Sequence, residues 1–256
     1  MITSRHNRRV KDIRRLKRCK GELAVLEGPH LVAEAISAGV SLEEVFATPE
    51  LLATAEGRAL SASLASPPTE VAEDVLRALA DADSPQGILA LARLPRAGAE
   101  GLPHLAGSCY LYVAGLQDPG NLGALARVAE AAGAVGLALS AGTVHPNHPR
   151  ALRASAGSLL RLPVAVAVSS DQLDEALQGL EAGWAALVPS GGTSLWRADL
   201  LGTLVLVLGA EGPGLAPDLL ERCQLRVTIP LTAPVESLNA TVAAAVVLFE
   251  RRRRET

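Results

Sequence analysis

The rhythm of the second half of the chain constrains its fold most. Near-continuous apolar runs at 110–114, 135–140, 164–168, 184–188, 204–208 and 226–229 alternate with helical stretches at 121–132, 149–160 and 171–180. A last helical stretch follows at 237–254. Short apolar runs without polar alternation are the pattern of strands whose two faces are both covered by helices, which is the environment of a parallel sheet. The first half is quieter. Val10, Ile13 and Leu16 make a short amphipathic stripe among basic residues, followed by strands at 22–27, 44–48 and 87–94 and helices at 28–38, 49–60 and 70–80. The same alternation predicts parallel pairing there too.

At 256 residues, 49 % hydrophobic and 20 % charged, the chain is long enough for two modest cores and too apolar for disorder. The expected division is a basic N-terminal helix at 1–20, a small α/β unit at 21–95 that includes this arm, a linker at 96–107 and a larger α/β unit at 108–256. No apolar run reaches the length of a bilayer span, and the basic start has no apolar stretch behind it, so a cytoplasmic, non-membrane protein is expected.

The net charge of −3 hides an asymmetry. Residues 1–20 carry nine basic side chains against Asp12, a net of +8, and the remainder carries −11. A basic segment on an acidic body is either a solvated helix face or a local contact for a polyanion. The second reading makes Arg5, Arg8, Arg9, Lys11, Arg14, Arg15 and Arg18 candidate nucleic-acid contacts. Aromatic residues are only 2 % of the chain, which argues against a stacking platform for bases. Cys19, Cys109 and Cys223 are scattered, as suits reduced thiols. His145 and His148 lack neighbouring ligands, so no metal is expected.

Ligands of parallel sheets bind outside the carboxyl ends of the strands, and three segments at such ends stand out. In the first, Asp118-Pro119-Gly120 has turn chemistry and Asn121 is a candidate cap for the next helix. Arg127, six residues on, either snorkels to water or reaches toward a phosphate or ribose. In the second, Leu208-Gly209-Ala210-Glu211-Gly212-Pro213-Gly214 has glycines for a close backbone approach, but neither the Walker nor the dinucleotide-binding spacing. In the third, a Pro-rich passage after Ile229 leads to Ser237, a candidate cap, and Asn239, an unusual residue for a first helical turn.

Together these segments resemble the SpoU/TrmH family of RNA 2′-O-ribose methyltransferases, of the SPOUT class. The resemblance is carried by Asn121-x-Gly123-x-x-x-Arg127, by Leu208-Gly209-x-Glu211-Gly212-x-Gly214, and by Ile229-Pro230-Leu231 followed by Ser237-Leu238-Asn239 and an alanine run. Arg153-Ala154-Ser155-Ala156-Gly157 is similar to a further family stretch. Glu27-Gly28-Pro29-His30 and Ser84-Pro85-Gln86-Gly87 look like the family's L30e-like substrate-binding domain. The chain departs from the family pattern at Ala210, commonly Asn, and at Ala233, commonly Gly.

The resemblance implies a deep trefoil knot in the C-terminal α/β domain, a homodimer formed through that domain, and S-adenosylmethionine as cofactor. It implies cofactor contacts at Gly209, Glu211, Gly212, Ile229, Leu231 and Leu238. Arg127 would be the catalytic arginine, with Asn121, Ser237 and Asn239 orienting the reacting groups and Arg153 joining the RNA contacts. The substrate implied is RNA, 23S rRNA before tRNA. A non-catalytic RNA-binding assembly factor is the alternative outside the enzyme class.

Overall fold

The computed structural model describes residues 1–16, 21–209 and 214–255. Along the chain come α1 (Arg8–Leu16), β1 (Leu23–Glu27), α2 (Pro29–Ser37), β2 (Ser41–Ala47), α3 (Pro49–Leu52), α4 (Ala55–Ser63), β3 (Thr69–Glu70), α5 (Glu73–Leu79) and β4 (Ile88–Arg93). Then follow β5 (Cys109–Val113), α6 (Pro119–Ala131), β6 (Gly136–Leu139), α7 (Pro149–Ala154), α8 (Ser158–Arg161), β7 (Val164–Ala165), α9 (Ser170–Ala176) and β8 (Gly183–Leu187). The remainder is β9 (Thr193–Ser194), β10 (Leu204–Leu208), α10 (Pro217–Arg222), β11 (Leu225–Thr228) and α11 (Ala240–Glu255).

Two compact units emerge. The first comprises Met1–Pro95 and His145–Arg161, the second Arg96–Val144 and Leu162–Thr256. The inclusion of 145–161 in the first unit differs from the expected continuous 108–256 domain, and its contacts explain why. Asn147, buried, donates through Nδ2 to the carbonyls of Gly21 and Leu94 at 3.1 and 3.0 Å. Arg153 pairs with Glu27, and Arg161 with Glu34. The helix expected over 149–160 breaks into α7 and α8 where Ala156 and Gly157 adopt positive φ, 47° and 93°.

The first unit holds a four-stranded sheet in the order β1-β4-β2-β3. Here the expectation of parallel pairing fails. β4 runs antiparallel to both β1 and β2, and only β2 with β3 is parallel. The expected 49–60 helix is two helices because Thr48 and Thr54 each cap one, accepting from the N–H groups of Leu51 and Gly57. α1 is part of the core and not an appended arm: Val10 and Ile13 pack with Phe46, Val75 and Leu79.

The second unit is built on a seven-stranded sheet, β7-β6-β5-β10-β8-β11-β9, in which every pairing is parallel. The central strands β5 and β10 are buried along their whole length, as their apolar runs require. β10 inserts between β5 and β8, so the direction of strand succession reverses beside β5. On one face Tyr112 and Trp184 meet at 5.6 Å between ring centroids, and Trp184 Nε1 donates to Asp174 at 2.7 Å. Arg251 of α11 is itself buried and donates to the carbonyls of Leu200, Gly107 and Gly202, tying the approach to β5 and β10 to the helix.

Candidate active site

The carboxyl ends of three neighbouring strands open onto one cavity. Leu187 and Val188 reach it from β8, Leu208 and Gly209 from β10, and Ile229 and Leu231 from β11, while Ser237, Leu238 and Asn239 close it ahead of α11. Its volume is about 760 Å³, within the roughly 300–1,000 Å³ of small-molecule sites. None of its described lining side chains is charged. The wall is mostly apolar, with the Ser237 and Asn239 side chains and peptide groups as the polar component.

Glycine at 209 is a steric necessity. A Cβ there would stand 2.7 Å from the carbonyl carbon of Gly214, 2.8 Å from its oxygen and 2.9 Å from the nitrogen of Leu215. The two ends of the glycine-rich loop therefore meet backbone to backbone beside the cavity. Glu211 and Gly212, expected at the cofactor, lie outside the described residues.

The two asparagines singled out in the sequence come together, in roles that differ from those expected. Asp118, not Asn121, caps α6, its carboxylate accepting from the Asn121 N–H at 2.8 Å. Asn239, not Ser237, caps α11. Its Oδ1 accepts from the N–H groups of Thr241 and Val242 at 2.9 and 3.3 Å, and the helix begins at Ala240, three residues later than expected. An Asn at this place is explained by its favourable capping chemistry. Asn239 Nδ2 then donates to Asn121 Oδ1 at 3.4 Å, and Thr241 Oγ1 donates to the Asn121 carbonyl at 3.1 Å. This couples the head of α11 to the first turn of α6.

Arg127 lies further along α6, exposed, and makes no ion pair among the described residues. It does not line the cavity. Burial pushes the thiols of Cys109 and Cys223 up to about 11, so neither is a nucleophile near neutral pH.

The expected RNA contacts divide. Arg8 and Lys11 are exposed on α1 without ion pairs among the described residues. Arg5 pairs with Asp74 at 3.0 Å and Arg9 with Glu44 at 3.8 Å, both at the surface. The side chains of Arg14 and Arg15, and all of Arg18, lie outside the described residues. Arg153 is engaged inside the first unit. Its guanidinium donates to Glu27 at 2.8 Å and to Asp81 at 3.1 Å, while Glu27 also accepts from the N–H groups of Asp81 and Ala82. Sequence reasoning passed over Leu187, Val188 and Pro189 at the cavity and Thr241 at the asparagine link. The rule that ligands sit at strand carboxyl ends pointed to the first three, since they end the run at 184–188.

Residues 108–249 match the SpoU rRNA Methylase family, and residues 7–90 match an MRM3-like substrate binding domain. An uncharacterized tRNA/rRNA methyltransferase of Synechocystis sp. is 35 % identical over 263 residues, covering 99 % of this chain and 94 % of that protein. The Bacillus subtilis 23S rRNA (guanosine(2553)-2′-O)-methyltransferase RlmP is 29 % identical, covering 98 % of each. Among solved structures, an AdoMet-bound rRNA methyltransferase from Sinorhizobium meliloti superposes with a TM-score of 0.86 at 27 % identity, covering 100 % of this chain and 98 % of that one. With residues 108–249, more than half of the chain, matched to the family and a 35 % identical relative aligned over 94 % of its length, the chain belongs to the SpoU rRNA methylase family.

Proposed function

We propose that this protein transfers a methyl group from S-adenosylmethionine to a ribose 2′-hydroxyl of 23S rRNA. The observation that carries this reading is the cavity at the carboxyl ends of β8, β10 and β11, its described lining free of charged side chains, next to the Asn121–Asn239 link. The residues present fit the cofactor. Apolar walls from Leu187, Leu208, Ile229 and Leu238 suit an adenine ring, and the strand-end peptides at Gly209 and Leu231 suit its edges and the ribose. Glu211 and Gly212 would complete the set. When bound, the cofactor supplies an electrophilic methyl on a sulfonium; orientation, charge stabilisation and proton removal fall to the chain and its RNA.

Arg127 suits a phosphate clamp that also stabilises negative charge on the 2′-oxygen. A guanidinium carries its charge throughout and has no lone pair to accept a proton, so it does not act as the base. The proton goes to water or a phosphate oxygen. Asn121, Ser237 and Asn239 position the ribose, a positioning effect of the kind that dominates group transfer. Arg8 and Lys11 offer phosphate contacts on the first unit. The exposed Val242 and Phe249, seven residues apart on α11, support a homodimer through the second unit. The family's trefoil knot in that unit belongs to the same proposal.

The test is transfer of labelled methyl to ribosomal RNA lacking its modifications, with the product mapped as ribose or base methylation. Arg127→Ala is expected to lower the single-turnover rate at least about 100-fold while cofactor affinity stays near wild type. Full activity of that variant, or methyl groups found on bases, refutes the assignment.

A further inference from the structure

The first unit holds a second, smaller cavity, of about 250 Å³. Its floor is apolar, from Leu76, Ile88 and Leu89, and its rim carries Ser84, Pro85 and Gln86. The space falls below that of drug-sized ligand sites and matches a single ring system. Its polar groups are of two kinds. Arg153 and Glu27 are spent on each other and on Asp81. Gln86, by contrast, is exposed, and neither its amide nor the Ser84 hydroxyl hydrogen-bonds to any described residue.

The Gln86 amide stands over Gly28. Its Oε1 lies 2.9 Å from where a Cβ on Gly28 would stand, and Gly28 sits at φ 97°, a conformation that favours glycine. A side chain at 28 would push the amide off the rim. An open carboxamide, presenting a donor and an acceptor side by side over an apolar floor, is the arrangement that reads adenine through N6 and N7. The Hoogsteen edge of guanine, with two acceptors, would call for Arg or Lys instead. Single-stranded RNA is recognised by bases splayed into such pockets.

We infer that this cavity takes one unstacked adenine of the RNA substrate, with Gln86 as the residue that reads it. The inference rests on RNA being the substrate. It adds a sequence-reading element to a protein whose basic residues would otherwise contact only phosphates.

The test uses the full chain saturated with S-adenosylhomocysteine, so that the cavity of the second unit is closed to adenine. Fluorescence anisotropy compares uridine oligonucleotides carrying a single central A, G, C or U. The adenine oligonucleotide is expected to bind about tenfold more tightly than the others, and Gln86→Ala to erase that preference. Gln86→Glu, with two acceptors, is expected to move the preference toward guanine, whose Watson–Crick edge offers two donors. Unchanged thermal unfolding of both variants shows that the fold is intact. Equal affinity for all four, preference for another base, or an adenine preference that survives both substitutions overturns the inference. Selective adenine binding without methyl transfer to RNA would instead refute the methyltransferase reading and leave this pocket standing.

Discussion

Gly209→Ala tests the architecture of the cofactor cavity through a single methyl group. The added carbon would face backbone atoms of Gly214 and Leu215 at 2.7–2.9 Å, up to about 0.7 Å short of the 3.4 Å at which ordinary contact begins. These atoms cannot rotate away as a side-chain tip would, so the two ends of the loop must part by that amount. Overpacking of this kind costs about 1–3 kcal/mol, and urea unfolding should show a loss in that range. The displaced peptides flank the cavity, so cofactor affinity measured by isothermal titration should fall at least about tenfold, less than the roughly hundredfold that a misplacement of about 1 Å can cost an oriented site. The two readouts separate the explanations. Lost stability with cofactor affinity within twofold of wild type would place the cofactor away from this loop and refute the reasoning.

Other consequences are equally direct. Arg153→Ala leaves the Glu27 carboxylate, only 4 % exposed, with its bonds from the Asp81 and Ala82 N–H groups. Stripping one partner from a buried pair costs about 3–5 kcal/mol; those remaining bonds and the partial exposure of Arg153 reduce the expected loss to about 2 kcal/mol. A loss below about 0.5 kcal/mol in urea titration would contradict the structural role. Because Val10 and Ile13 are core residues, removing the whole basic segment would unfold its unit; the double variant Arg8→Gln, Lys11→Gln is the proper probe of RNA contact. It should lower the salt slope of RNA binding by about two, and an unchanged slope would exclude both residues from the interface. Hydrogen bonds from Arg253 and Arg254 pull the Glu250 carboxyl from 4.5 down to about 2. Its contribution to stability is therefore complete above pH 4.5 and lost as pH falls toward 2. Glu250→Gln should flatten the acid limb of a stability-versus-pH curve over that window, and an unaltered limb would show that the pair contributes nothing.

Legibility differed between the two units for physical reasons. In the second unit both faces of the sheet are covered, so strands such as 204–208 show in the sequence as unbroken apolar runs. Periodicity carries no information on strand direction, and the antiparallel placement of β4 between β1 and β2 was invisible for that reason. β9, two residues long, is too short to give a period. The capping roles were misassigned because Ser237 and Asn239 are both good caps two residues apart; only the position of the first helical hydrogen bond decides between them. That Gly209 and Asn239 lie at a strand's carboxyl end and a helix head was legible. That the asparagines touch was not, since the pairing depends on how α6 packs on α11. Arg153 was singled out through the family resemblance alone, and the buried carboxylate it faces, 126 positions away, leaves no mark in the sequence.

The bond between Asn121 and Asn239 joins residues 118 positions apart, and the one from Thr241 to Asn121 spans 120. Closing so long a loop adds little thermodynamic cost, because the entropy grows only with the logarithm of length, but it places assembly of the site late in folding, among the non-local contacts. The asparagine link needs both halves of the chain, whereas the described lining of the cavity, 187–243, comes from the second half alone. A partly folded molecule lacks the head of α11, and with it one wall of the cavity and the alignment of the α6 turn. Alignment of the α6 turn with the cavity thus arises only with the finished packing of α6 on α11.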